Sequence, residues 1–270
     1  MKRIQVVLLF LLVAFTLAAP AQERLRLATT TSTENSGLLT VLNPPFEKQY
    51  GIKVDVIAVG TGKALRLARN GDVDMVLVHA PEAELKFVNE GYGIDRQPVM
   101  HNDFVLLGPP SDPAGVRQAD VPSTAMEKIA GSTAGFISRG DDSGTHKKEL
   151  ALWAAAGIEP GGGWYLAAGQ GMGAALKISD DKQAYTLADR GTYLAYKDKI
   201  DLVVVFQGAE ELFNPYHIIL VNPGKHPHVK HERAQHYSDF IRSDKGQAII
   251  GGFRVSEEQL FHPDAVQHGE

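Results

Sequence analysis

The run VDVIAVGTGKALRLARNGDVDMVLV, residues 54–78, decides the fold. Val54 to Val59 is rich in β-branched residues and reads as a strand. Gly60-Thr61-Gly62 breaks it, and a helix follows from about Lys63 to Asn70. Asp74 to Val78 is then a nearly continuous apolar run, the pattern of a strand buried on both faces. A strand, a helix and a second buried strand at this spacing form a parallel pair joined by a crossover. Outward from this unit the alternation continues. Leu25 to Ala28 is a strand, Asn35 to Tyr50 a helix stopped by Gly51, and Pro81 to Asn89 a helix that opens on proline and acidic residues. The pattern returns later, with a strand over Ala134 to Ser138 and a helix over Thr145 to Ala156 ended by Gly157. Met172 to Asp180 and Leu187 to Lys197 read as helices, and Leu202 to Phe206 as another buried strand. The first alternation argues for a parallel sheet covered by helices, and the whole suggests two α/β lobes.

Two further segments are β-rich and end in strong loop signals. Asp103 to Leu107 runs into Gly108-Pro109-Pro110, and Tyr216 to Val221 into Asn222-Pro223-Gly224. Each is either a crossover between lobes or an edge strand of one sheet, and spacing alone does not choose. As crossovers they place residues 22–106 with 220–270 in lobe one and 107–219 in lobe two. Clefts between such lobes are where ligands bind.

Composition narrows the class. The chain has 270 residues, 44% hydrophobic and 22% charged, ordinary for a globular protein with a sizeable core. The formal net charge of −5 leaves no basic surplus for nucleic acid. There are 0 cysteines, which excludes disulfides, thiolate metal sites and cysteine nucleophiles. Lys2 and Arg3 precede an apolar run, Val6 to Ala18, and Ala19-Pro20-Ala21 offers the small residues a signal peptidase reads. The run is shorter than the about 20 residues a spanning helix needs. Residues 1–21 are therefore expected to be a cleavable signal peptide, with the mature chain starting at Gln22 and released into the periplasm.

Candidate chemistry gathers at strand-to-helix turns. Thr29-Thr30-Thr31-Ser32-Thr33 carries hydroxyls at five successive positions before the first helix. A helix N-cap explains one of them. Hydroxyls and unpaired N–H groups at a helix start also make an anion site. Gly60-Thr61-Gly62 occupies the next such turn on the same sheet edge, and alone it is a weak signal. Ser138-Arg139-Gly140-Asp141-Asp142-Ser143-Gly144-Thr145 is the sharpest feature. Ser143, Gly144 and Thr145 present donors at a helix start, and Arg139 supplies a forked cation matched to two oxygens of a tetrahedral anion, with Asp141 placed to hold it.

Elsewhere the signal thins. Gly169-Gln170-Gly171-Met172-Gly173 matches a dinucleotide motif only loosely and reads as a loop near the cleft. Asp189 reads as a helix cap, with Tyr185 and Thr186 left open. His217, His226, His228, His231 and His236 show no metal-ligand spacing and read as surface residues; no metal or cofactor is expected. No nucleophile elbow, HExxH or Walker loop is present, and Ser143 has no evident partner base, so a hydrolase is disfavoured.

These motifs, in this order, resemble the tungstate-binding proteins of the Tup-type ABC importers. The elements that match are Ala28 to Ser32, Val59 to Leu65, Asp74 to Ala80, Ser138 to His146 and Asp189 to Leu194. The resemblance implies a two-lobed, type II periplasmic-binding-protein-like α/β fold, closing over an oxyanion. It implies that Thr30, Thr31, Ser32 and Thr61 bind the anion from lobe one, and Arg139, Ser143, Gly144 and Thr145 from lobe two. A membrane permease and its ATPase are implied partners of a monomeric, non-catalytic binding protein. The physics agrees: tungstate is a fully ionised dianion that wants many donors and no acceptor. Molybdate has the same shape and charge. Phosphate usually keeps a proton and wants a carboxylate acceptor, which the turns at Thr29 to Thr33 and Gly60 to Gly62 lack, unless Asp141 or Asp142 faces the ligand. Glu34 and Asp55 are the acidic residues nearest those turns.

Overall fold

The computed structural model describes residues 22–141 and 143–265; the expected signal peptide over residues 1–21, and Asp142, lie outside the described residues. The first part of the chain alternates as its pattern dictates: β1 (Glu23–Thr30), α1 (Thr31–Asn35), α2 (Leu38–Tyr50), β2 (Ile52–Val59), α3 (Thr61–Asn70), β3 (Met75–Val78) and α4 (Pro81–Asn89). β1 lies between β2 and β3 and pairs with both in parallel, with Thr30 opposite Val59 and Thr29 opposite Leu77. The register brings the C-terminal ends of all three strands to one edge. Both faces of β3 are buried, as its continuous apolar run requires.

The single helix expected over Asn35 to Tyr50 is two. Thr30 caps α1 early, and Gly37, in the left-handed region at φ 83°, breaks the chain before α2 starts. Two prolines, Pro44 and Pro45, sit inside α2. They remove the donors for the carbonyls of Thr40 and Val41, both exposed residues, so water can satisfy those groups. Leu38, Leu42 and Phe46 keep one face of the helix buried, and Gly51 ends it in the left-handed conformation.

β4 (Gly93–Gly108) is one 16-residue strand, longer than the expected Asp103 to Leu107. Its first part pairs antiparallel with β9 (given below) through Gly93 to Asp103, and its last part pairs with strands of the following segment. That segment contains α5 (Pro122–Ala130), β5 (Phe136–Ser138), α6 (Gly144–Ala155), β6 (Tyr165–Ala167), α7 (Met172–Asp181), β7 (Thr186–Asp189), α8 (Arg190–Tyr196) and β8 (Val203–Phe206). The helix expected over Leu187 to Lys197 begins only at Arg190. Leu187 to Asp189 are strand, because they pair with Leu106, Val105 and Phe104 of β4. A local helical spacing yielded there to a sheet neighbour distant in sequence.

β9 (Phe213–Val221) returns between β4 and β3. The chain finishes with α9 (His231–Arg242), α10 (Asp244–Gly252), the short pair β10 (Arg254–Val255) and β11 (Glu258–Gln259), and β12 (His262–Pro263), which adds to the edge of β4. The result is a two-lobed α/β fold in which β4 and β9 run between the lobes. Two core clusters, around Leu25, Phe46, Leu77 and Ile218 and around Val76, Phe87 and Ile219, flank the first sheet. Two others, around Phe104, Trp153 and Leu187 and around Val105, Leu176 and Leu194, build the second lobe. Among the described residues no helix is long and apolar enough to cross a membrane.

Candidate functional site

At the sheet edge of lobe one the five hydroxyls separate into distinct roles. Thr29 is fully buried and its hydroxyl donates to the Leu77 carbonyl at 2.7 Å, tying β1 to β3. Thr30 is the N-cap of α1, its Oγ1 accepting the Thr33 N–H at 3.2 Å. Thr33 is buried beneath it, with the two hydroxyl oxygens 2.6 Å apart. Thr31 and Ser32 remain exposed, and Ser32 Oγ lies 3.0 Å from Thr30 Oγ1. The capping role therefore belongs to Thr30, and the outward donors are Thr31 and Ser32.

The turn after β2 lies on the same edge. Gly60 is the N-cap of α3 without any side-chain cap bond, and the first intrahelical bonds run from Lys63 and Ala64 to its carbonyl. The N–H groups of Thr61 and Gly62 precede that ladder and point outward from the helix start. A Cβ at Gly60 or Gly62 would meet no protein atom within 4 Å, so both glycines leave the backbone bare.

The turn after β3 brings in a residue to which the sequence reading gave no role. His79 Nε2 is 3.2 Å from Thr30 Oγ1 and 3.5 Å from Ser32 Oγ. Its Nδ1 is 3.0 Å from Asn214 Oδ1 on β9. Asn214 in turn donates through Nδ2 to Asn102 Oδ1 on β4 at 2.8 Å. That donation fixes the amide so that its oxygen faces the ring, which places the imidazole hydrogen on Nδ1 and leaves Nε2 the lone pair of the neutral form. The ring packs against Tyr216, centroids 4.5 Å apart. Burial depresses the His79 pKa, opposed by the Asn214 bond and by the charges of Glu84 and Asp189. A hydrogen-bonded chain thus leads from the threonine turn to both strands that cross between the lobes. A histidine at the third strand-to-helix turn of this edge was the signal available in the sequence.

In lobe two, Arg139 follows β5 and is mostly buried. Its terminal nitrogen donates to Asp141 Oδ2. Its Nε is buried and, among the described residues, has no hydrogen-bond partner. Asp141 also accepts the Ser143 N–H at 3.2 Å through Oδ1. Burial pushes the Asp141 carboxyl up, but the bonds from Ser143 and Arg139 prevail and hold it below its ordinary value. Ser143 is the N-cap of α6, its Oγ accepting the His146 N–H at 3.3 Å. Gly144 is exposed at the helix start and Thr145 is buried beside it. Gly140 makes the tight approach possible: its φ is +61°, and a Cβ there would lie 2.7 Å from that of Ala167 on the neighbouring strand.

The structure joins Thr30, Ser32 and His79 in one bonded group and Arg139, Asp141 and Ser143 in another. Thr31 and Thr61 flank the first group, and Gly144 and Thr145 the second. Lobe two also faces His79 through Asp189, whose charge bears on the ring. Asp189 is the α8 cap that the sequence suggested, accepting the Thr192 N–H at 2.8 Å. Tyr185 and Thr186 are buried: the Tyr185 hydroxyl donates to Asp112 and that of Thr186 to the Ile137 carbonyl. His217 corrects the surface reading of the histidines. It is buried on β9, its Nδ1 3.0 Å from Glu84 Oε2. Asp55 pairs with Arg24 partway along the sheet, away from the turns.

The PBP superfamily domain matches residues 17–245 of the chain. A tungstate-binding protein, TupA, of Peptoclostridium acidaminophilum is 48% identical over 246 residues, covering 89% of this chain and 86% of the relative. Among solved structures, the tungstate-binding protein TupA of Desulfovibrio alaskensis superposes with a TM-score of 0.86 at 44% identity, covering 90% of this chain and 100% of that one. The tungstate ABC transporter structure of Geobacter sulfurreducens is 55% identical, with a TM-score of 0.77 and coverages of 86% and 100%.

Proposed function

From the premise that the chain belongs to the PBP superfamily, we propose that it is the extracytoplasmic solute-binding protein of an ABC importer, capturing tungstate between its lobes. One observation carries the reading: hydroxyl and N–H donors stand at the helix starts of both lobes, and Arg139 offers a buried Nε–H with no partner among the described residues. Relatives at this level of identity are named for tungstate binding, which supports the same ligand. The contacting residues in this reading are Thr30, Thr31, Ser32 and Thr61 from lobe one and Arg139, Ser143, Gly144 and Thr145 from lobe two. Lobe one comprises residues 22–106 and 220–270, lobe two 107–219. The core clusters support two lobes but change over a few residues before those bounds, between Met100 and Phe104 and between Leu212 and Tyr216.

A dianion that loses its water must regain several charge-assisted hydrogen bonds, each contributing about 1.5–3 kcal/mol. Arg139 offsets part of the double charge, and hydroxyl and amide dipoles spread the rest. Both oxygens of Asp141 are already engaged as acceptors, by Arg139 and by Ser143. That disfavours Asp141 as the carboxylate acceptor a bound phosphate would need. The role is capture and delivery to a permease, not turnover. Isothermal titration calorimetry with tungstate, then molybdate, sulfate and phosphate in competition, tests it. Tight tungstate binding supports the reading, equal molybdate binding widens the ligand to both, and binding of none of the four overturns it.

A further inference from the structure

His79 stands where the oxyanion donors of lobe one meet the strands between the lobes, and its ring nitrogens serve different partners. Nδ1 donates to Asn214 Oδ1, whose orientation is set by its own donation to Asn102. In the neutral ring, Nε2 can then only accept, and the hydroxyls within its reach are those of Thr30 and Ser32. Each of those hydroxyls has a single hydrogen. A hydroxyl that donates to Nε2 does not donate to an anion, and one that turns to the anion leaves Nε2 an unpaired acceptor beside a double negative charge.

We propose that His79 belongs to the oxyanion site and takes up one proton from solvent at Nε2 when the dianion binds. The proton adds to the Nε2 lone pair, and no bond within the protein breaks. Nε2–H then donates to Thr30 Oγ1, which frees the one hydroxyl hydrogen that Nε2 had accepted and places a positive charge behind the turn. This rests on the oxyanion reading above and extends it to a residue outside the eight contacts named there.

The surroundings are balanced for such a change. Glu84 on α4 and Asp189 at the end of β7 face the ring with negative charge, and the Tyr216 ring of β9 packs against it at a tilt of 32°. Glu84 is itself paired with Arg96 and His217, and Asp189 with Thr192. In the free protein burial outweighs these charges and favours the neutral ring. A dianion within reach of Nε2 reverses the balance. Between the free and bound pKa values of the ring, binding absorbs about one proton, and the Kd rises by about tenfold for each unit of pH.

The test is calorimetric titration of the protein with sodium tungstate at neutral pH in two buffers of different ionisation enthalpy, repeated across the mildly acidic to mildly alkaline range. Uptake approaching one proton with a Kd that rises with pH, both lost in a His79→Gln protein that still binds, is the expected result. Tungstate binding without proton uptake, or uptake undiminished in H79Q, overturns the inference while leaving the oxyanion reading intact. No tungstate binding by the wild type overturns both. If H79Q does not fold, the His79 ring nitrogen resonances of labelled wild type decide: a shift of Nε2 to the imidazolium form on adding tungstate supports the proposal, and an unchanged neutral ring overturns it.

Discussion

Arg139 is where a single side chain should matter most. It is mostly buried and partnered by Asp141 at one end, and its Nε has no protein partner among the described residues. Arg139→Ala removes the only formal positive charge among the eight proposed contacts and leaves a desolvated dianion short of it. The expected outcome is a Kd raised at least about 100-fold, equivalent to about 3 kcal/mol, with an unchanged circular dichroism spectrum. Near wild-type titration by the folded variant would remove Arg139 from the site. Thr31→Val tests a smaller quantity. The Thr31 side chain is exposed and does not cap α1, so the loss should be one hydrogen bond, about 1–3 kcal/mol in binding, with little change in stability. At this scale the sequence showed which turns carry donors, because Thr, Ser and Arg at helix starts are chemically unambiguous. It did not show how five adjacent hydroxyls divide their work. The Thr29 hydrogen is committed to Leu77 and the Thr30 oxygen accepts the cap bond, and both facts depend on a strand pairing and a local dihedral angle that composition does not record. His79 went unassigned for the same reason: its meaning comes from Asn214, 135 positions away.

Helix starts and the loops before them can be tested for stability and binding separately. Gly140 and Gly144 bracket the arginine turn, and they differ. Gly140 sits at φ +61° with Ala167 against the place a side chain would fill, whereas a Cβ at Gly144 would meet open space. Gly140→Ala should therefore cost about 1–3 kcal/mol in urea denaturation. Gly144→Ala should not lower the urea midpoint, yet should weaken tungstate binding by crowding the anion side of α6. Equal midpoints for the two variants would show that the turn is not strained as described. Most elements were readable in advance because β1 to α4 repeat one strand–helix pattern with helix signals at their ends. The misreadings share a cause. Leu187 to Asp189 has helical spacing but is claimed by β4, and the Asn35 to Tyr50 helix is divided by a left-handed Gly37. The full length of β4 was hidden because only its end is continuously apolar, while Asp95 to Pro98 look like loop.

Across the whole molecule, ligand and protons should act on stability together. His79 and His262 have depressed pKa values, chiefly from burial, so the folded chain binds fewer protons than the unfolded chain on the acid side of neutrality. Their contribution is present above the ordinary histidine value of about 6.5 and is lost as pH falls through the folded values. Asp55, Asp112 and Asp141, also lowered, have the same sign at more acid pH; Glu149, raised by burial, has the opposite one. The urea midpoint of the free protein should thus fall on mild acidification below neutrality, and by less in H79Q. Tungstate at about 1,000 times its Kd should raise the unfolding free energy by about 4 kcal/mol, because in the proposed site only the folded chain presents both donor groups to one ion. With His79 charged in the complex, its cost on acidification disappears, so the tungstate-saturated protein should lose less stability than the free protein over the same pH step. Parallel losses with and without ligand would mean that the ring does not change its charge when the lobes hold the anion, and the coupling between the site and the crossing strands would then have to run through hydrogen bonding alone.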